Sequence, residues 1–232
     1  VNDFCQGCVV RNRAICAGLS GDELNALNRM GRRRQLQPGE RLFGEGDEAV
    51  LVANVISGLF KLSAGTAEGG EQILGLAFPS DFVGQPFASD QSFDVEALTE
   101  AQVCVFPQAD FKRFAGEHPN LEHRLLERTM SELDRARRWM VLLGRMTAEQ
   151  RVASFILEMH ERSRSAGQRH PGEEWMLPLS RQQIADLLGL TIETVSRQIN
   201  AFRRRGWIEL SGPRRVRVLA QEELRLAAGL AS

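Results

Sequence analysis

The chain has 232 residues, 43% of them hydrophobic and 25% charged, with a formal net charge of −1, proportions that exclude a disordered or fibrous chain and suit one large domain plus a small one, or two of middling size. No apolar run approaches the roughly 18–20 residues of a membrane span, and the start lacks the basic-then-apolar pattern of a secretion signal. A cytoplasmic protein without a membrane partner is therefore expected, in a reducing compartment where clustered cysteines serve as metal ligands or redox groups rather than as structural disulfides.

The first stretch, "DFCQGCVVRNRAIC", places Cys5, Cys8 and Cys16 within a dozen residues, and the only other cysteine is Cys104. Four thiolates suit a [4Fe–4S] cluster or a Zn²⁺ ion, and the spacing alone leaves both open. "LSGDELNALNRM" (19–30) predicts a short helix, with Ser20 as N-cap and Glu23 completing a capping box. From Arg33 to Phe106, short apolar runs such as "VANVISGLFKLSA" and "AQVCVF" are punctuated by Gly and Pro, which predicts an antiparallel barrel or roll. After Pro107 the helical period takes over. "QADFKRFAGEHPN" reads as a short helix and its exit, and the next stretch, 121–163, holds no Pro and a single Gly, Gly144. Leu126, Leu133, Met140 and Thr147 recur there every seven residues, with Thr129, Ala136 and Leu143 between them. This is a heptad seam for a partner helix, and the small Thr129 and Ala136 allow close approach. A Gly/Pro/polar loop over 164–175 follows.

"LSRQQIADLLGLTIETVSRQINAFRRRGWIEL" (179–210) is the most specific pattern in the chain. Ser180 and Gln183 form a capping box, Gly189 supplies a left-handed turn, and Thr191 caps a second, amphipathic helix. Two short helices joined by such a turn predict a helix-turn-helix. Glu193, Ser196 and Arg197 share one face at the start of the second helix, where base edges in the major groove are read. Arg203, Arg204 and Arg205 lie at its far end, better placed for phosphates. "GWIELSGPRRVRVL" (206–219) predicts a hairpin wing decorated by Arg214, Arg215 and Arg217. From Ser180 to Arg217 eight Arg face three carboxylates, a basic segment suited to a polyanion. No nucleophile–base pair stands out, and His118, His123, His160 and His170 are scattered, so no enzyme is expected.

With these residues in place, nearly the whole chain resembles the superfamily of the cyclic-AMP receptor protein and the fumarate-and-nitrate-reduction regulator. The helix-turn-helix carries the resemblance, with "ETVSR" (193–197) in the form of the fumarate-and-nitrate-reduction branch; "LQPGERLFGEGD" and "VISGLFKL" are similar to the turns of its β-roll. The resemblance implies an α+β protein. Its parts are an N-terminal cysteine segment (1–18), an antiparallel β-roll sensor domain (19–117), a dimerisation helix (118–146) and a C-terminal winged helix-turn-helix (147–232). It implies a homodimer paired through Leu126, Thr129, Leu133, Ala136, Met140 and Leu143. The expected partner is double-stranded DNA, an inverted repeat of the TTGAT-N4-ATCAA kind. Glu193, Ser196 and Arg197 are the expected readers, and Arg181, Thr191, Thr194, Arg203, Arg204, Arg214 and Arg215 sit near the backbone.

The same resemblance assigns Cys5, Cys8, Cys16 and Cys104 to a [4Fe–4S] cluster that oxygen dismantles, although the seven-residue gap before Cys16 departs from the tighter spacing of some members. The other reading keeps the DNA-binding fold with a zinc or thiol/disulfide redox sensor. A cyclic nucleotide is not expected, because residues 79–106 contain no Arg or Lys for its phosphate. The polar stretch 65–72, with Thr66, Gly69, Gly70 and Glu71, occupies the place of an RNA polymerase contact.

Overall fold

The computed structural model describes Cys5 and residues 7–67, 69–165 and 173–229. Contacts divide the chain into two compact units, Val1–Ala136 and Arg137–Ser232, with the division inside one long helix.

In the first unit a 3₁₀ turn (Ile15–Gly18) leads into α1 (Gly21–Met30). The Glu23 carboxylate accepts the Ser20 N–H at 2.7 Å and the Glu23 N–H reaches the Ser20 hydroxyl at 3.5 Å, the expected capping box. Eight strands follow: β1 (Arg32–Leu36), β2 (Arg41–Phe43), β3 (Leu51–Ser57), β4 (Phe60–Gly65), β5 (Glu71–Ala77), β6 (Phe82–Val83), β7 (Asp94–Ala97) and β8 (Ala101–Pro107). They form two four-stranded antiparallel sheets, β1-β8-β3-β6 and β2-β7-β4-β5. Leu36, Phe43, Val55, Phe60, Val95 and Val103 fill the roll between them.

Strand alternation sends the next residues of β3 and β8 the other way. Val52 and Phe106 leave the roll and enter a second core with Ile15, Leu24, Leu27, Phe111, Phe114 and Leu121. These come from the 3₁₀ turn, α1, α2 (Gln108–Glu117) and α3 (Pro119–Arg145). The central strand β3 is therefore buried on both faces, and Asn54 and Cys104, paired in register on β3 and β8, lie on the face turned to the N-terminal segment.

The helical stretch after 119 is broken once. Thr147 caps α4 (Ala148–Ser165): its hydroxyl accepts the Gln150 N–H at 3.3 Å, and its own N–H donates to Gln150 Oε1 at 2.8 Å. Thr147, in the heptad spacing of the sequence, is thus a helix cap and not a seam residue. The second unit continues with β9 (Trp175–Met176), α5 (Arg181–Leu188), α6 (Ile192–Arg204), β10 (Ile208–Leu210), β11 (Arg215–Val218) and α7 (Gln221–Ala227). Its core gathers Phe155 and Ile156 of α4, Ile184 and Leu188 of α5, and Ile199 and Phe202 of α6. The wing is a three-stranded sheet, β10-β11-β9; β9 and α7 had no counterpart in the sequence pattern. The architecture is the expected α+β one, with an antiparallel roll, a long helix and a winged helix-turn-helix. Among the described residues no helix is long and apolar enough to cross a membrane.

Candidate cofactor site and nucleic-acid interface

The N-terminal segment folds through successive tight bonds: Cys8 N–H to Cys5 C=O at 3.3 Å, Arg11 N–H to Cys8 C=O at 3.1 Å and Ala14 N–H to Val10 C=O at 2.8 Å. Val10 and Ala14 bury against Ile56 of β3, which anchors the segment on the outer face of the first sheet. The wrap brings Cys5, Cys8 and Cys16 to Cys104, and all four line one partly open cavity with Val10, Ala14, Leu27, Ile56 and Phe106 as apolar walls. The seven-residue gap does not exclude Cys16, because the turns over 8–14 fold the intervening chain back on itself.

Gly31, at the exit of α1, makes room for this approach. A Cβ there would stand 2.7 Å from the Phe106 ring and 3.2 Å from Cys104 Sγ. Asn54 Oδ1 is buried without a hydrogen-bond partner in the same lining. Burial, with the neighbouring cysteines adding to it, pushes the Cys16 thiol up to about 11 and Cys104 up to about 12; Arg11 and Arg33, respectively, act in the opposite sense.

As a donor set, four convergent sulfurs in an apolar wall beside an orphaned amide oxygen fit a thiolate-held metal group. Loading it requires loss of the thiol protons. The space between the four cysteines is small, about 30 Å³. Among the described residues no three His, Cys, Asp or Glu side chains already stand as a metal-ion site.

Along α3, Leu126, Met130, Leu133 and Met140 are exposed apolar side chains, an uncovered stripe at helical spacing. Thr129 and Ala136 lie exposed on the same stripe, whereas Leu143 is half-buried. Arg151, which the sequence pattern did not single out, closes the end of α3. Its guanidinium donates to the carbonyls of Leu143 at 2.6 Å, Met146 at 2.9 Å and Leu188 at 2.9 Å, all at or near helix ends that otherwise lack partners.

The helix-turn-helix follows its sequence closely. The Ser180 hydroxyl accepts the Gln183 N–H at 3.2 Å, Gly189 takes φ 59° and ψ 45°, and Thr191 caps α6. Val195, Ile199 and Phe202 are buried on one side of α6, which leaves Glu193 and Arg197 exposed and Ser196 half-buried on the other. No Glu193–Arg197 ion pair forms. Glu193 is held below its ordinary value by its own backbone N–H and the Thr191 hydroxyl, and Arg197 Nη2 lies 3.5 Å from the Thr194 hydroxyl.

Arg203, Arg204 and Arg214 are exposed. Arg205, exposed like its neighbours, pairs with Glu149 and lies over the Trp207 ring at 4.8 Å. Arg215 pairs with Glu174 at 3.6 Å and Arg217 with Glu209 at 3.1 Å. Arg181 is half-buried; its Nη1 finds no hydrogen-bond acceptor, and burial lowers its pKa.

At the β4–β5 hairpin tip, the Gly70 N–H donates to the Thr66 hydroxyl at 3.0 Å, and Gly69 takes φ 79°. The Glu71 carboxylate is turned onto the sheet, bound by Lys61 Nζ at 2.6 and 2.8 Å and by the Ser63 hydroxyl at 2.7 Å. His170 and Glu68 of the expected loops lie outside the described residues.

Residues 150–227 match the family described as the Crp-like helix-turn-helix domain, and residues 33–118 match the cyclic nucleotide-binding domain family. The chain is 40% identical to the transcriptional activator protein FnrL of Cereibacter sphaeroides over 214 residues, which cover 91% of this chain and 86% of that protein. It is 39% identical to the nitrogen fixation regulation protein FixK of Bradyrhizobium diazoefficiens over 224 residues, 94% of each chain. Among solved structures, FixK2 from Bradyrhizobium japonicum matches with a TM-score of 0.78 and 30% identity, covering 87% of this chain and 99% of that one.

Proposed function

From the premise that the chain belongs to the Crp/Fnr family of transcription regulators, we propose that it is an oxygen-responsive transcriptional activator whose cysteines hold a [4Fe–4S] cluster. The observation that carries this reading is the convergence of Cys5, Cys8, Cys16 and Cys104 from two remote parts of the chain onto one apolar cavity. When bound there, the cluster supplies oxidisable iron–sulfide chemistry through which dioxygen removes it.

The protein's own residues account for the rest of the response. Cys104 is fixed by the ladder of β8, whereas Cys5, Cys8 and Cys16 ride on a segment of turns, so a group held by all four ties the segment to the roll. Leu126, Thr129, Met130, Leu133 and Met140 then pair α3 with a second copy, burying apolar area that one copy leaves in water. A two-fold pair presents two α6 helices to successive major grooves about 34 Å apart, which matches an inverted repeat.

At each half-site Arg197 donates two hydrogen bonds to guanine, Glu193 accepts from cytosine N4 and Ser196 bonds to a base edge. Arg203, Arg204 and Arg214 contact phosphates, with Thr191 and Thr194 near the backbone and Arg215 released from Glu174 to join them. The unsatisfied Nη1 of Arg181 is a further donor for a phosphate oxygen. The hairpin tip at Thr66, Gly69 and Gly70 is offered to RNA polymerase, braced by the Lys61–Glu71 pair. No cyclic nucleotide is part of this reading: Lys61, buried in the roll, is already engaged by Glu71 and Glu96.

The test is DNA binding by protein reconstituted with iron and sulfide without air. Tighter binding to a TTGAT-N4-ATCAA duplex than by the air-exposed form supports the proposal. Equal binding by the two forms contradicts it, and a colourless, zinc-containing active protein would favour the zinc sensor.

A further inference from the structure

α3 carries a second stripe beside its exposed seam. Leu121 and Leu125 are buried in the second core, and the same helical spacing continues to Arg128 and Arg135. Both guanidiniums meet one carboxylate on the roll: Arg128 Nη1 lies 3.8 Å from Asp81 Oδ1, and Arg135 Nη1 lies 3.6 Å from Asp81 Oδ2.

Asp81 is buried and firmly held. Its Oδ2 accepts the Phe78 N–H at 2.9 Å, and its backbone carbonyl accepts the Val55 N–H at 2.9 Å. Ser80 before it has φ 84°, a left-handed conformation that a serine adopts only where its surroundings enforce it. Arg128 also donates to the backbone carbonyl of Arg13, in the segment between Cys8 and Cys16. One side chain therefore touches the cysteine segment and the roll while standing on the helix that bears the seam.

We infer that Arg128 and Asp81 are positioning residues that transmit a change at the cysteine segment to the seam of α3; this rests on the reading that the four cysteines hold a group. Arg13 is three residues from Cys16, so a segment that shifts as the thiols take up or lose that group displaces the Arg13 carbonyl. The bond to Arg128 is then made or broken. Arg128 lies within one helical turn of Leu126 and Thr129, so the helix passes its displacement directly to seam residues. Arg135, on the same carboxylate two turns later, fixes the far side of the joint. The two arginines share Asp81, so losing the Arg13 contact redistributes both ion pairs and not just one.

The experiment measures self-association without DNA, by anaerobic sedimentation equilibrium, for wild type, Asp81→Asn, Arg128→Ala and Arg128→Lys. Each is examined with and without reconstituted iron and sulfide, alongside iron content and thermal unfolding. Wild type is expected to dimerise about tenfold or more tightly when loaded, within the usual range of coupling between sites. Arg128→Ala and Asp81→Asn should keep wild-type iron content, while the loaded-to-unloaded ratio falls to about threefold or less. Arg128→Lys, which keeps the charge but not the two-pronged geometry, should recover part of the ratio.

A wild-type ratio in Arg128→Ala overturns the inference, as does loss of iron from that variant, which would make Arg128 a support of the site alone. Arg128 is partly exposed, so this variant carries the test if Asp81→Asn fails to fold. If wild type itself binds iron with no change in self-association, or binds none, it is the reading of the cysteines that falls.

Discussion

In the winged module, the proposed base readers come from the first turns of one capped helix; in the roll, the thiols come from a terminal wrap and a strand about ninety residues later. α6 presents Glu193, Ser196 and Arg197 because three consecutive local decisions agree: a cap at Thr191, a left-handed Gly189 and an apolar stripe through Phe202. The cysteine cavity exists only after the roll has formed, because Cys104 faces the wrap through strand alternation and Gly31 leaves room beside it. A site of the first kind is fixed by spacing. A site of the second kind is fixed by tertiary packing, and it can register whether its parts are tied together.

The sharpest way to break this contrast is to remove the fixed thiol. Cys104→Ala should abolish iron binding, measured as iron per chain after anaerobic reconstitution, while the capped helices of the winged module leave non-specific DNA binding in place. Arg197→Ala comes next. It should weaken binding to the inverted repeat by about 1–3 kcal/mol per half-site and leave affinity for random duplex nearly unchanged in a mobility-shift titration. Arg203→Ala should weaken both duplexes alike and reduce the salt slope by about 1; selective loss on the inverted repeat would make it a reader instead.

The smallest effect is expected at the hairpin brace. Burial alone would lower the Lys61 pKa and raise that of Glu71, but their mutual hydrogen bonds and charges, with Glu96 on the lysine and Ser63 on the glutamate, reverse both. The Glu71 contribution to stability is therefore complete above the ordinary glutamate range and lost as pH falls through its lowered value. The Lys61 contribution is complete below the ordinary lysine range and lost as pH rises through its raised value. Lys61→Met should lower the melting temperature at neutral pH, where the Glu71 contribution is complete, and leave it closer to wild type in acid, so that the acid-side fall flattens. An unaltered acid limb would contradict the brace.

The same contrast explains what was legible in advance. The capping boxes at Ser20 and Ser180 and the turn at Gly189 are local, and the sequence pattern places each one where the structure has it. The heptad spacing ran one residue too far: Thr147 satisfies the spacing but caps α4, because with Gln150 it offers the helix end two hydrogen bonds. Arg205 belongs by charge with its neighbours, and Glu149 and the Trp207 face, 56 residues before it and two after, also meet its side chain. Arg151, Asp81 and the Arg128 contact with Arg13 were invisible, since each joins residues whose proximity only the fold creates. For the cysteines, residue type pointed to a metal-binding chemistry, but the shared cavity and the orphaned Asn54 oxygen required the register of β3 on β8.

The most direct measurement is to purify the protein without air and determine its iron, acid-labile sulfide and operator affinity, then repeat all three after exposure to oxygen. The account predicts about four iron and four sulfide per chain, a broad visible absorption, and joint loss of metal and operator binding in air. Iron-free protein that binds the operator at full strength before and after exposure would contradict it.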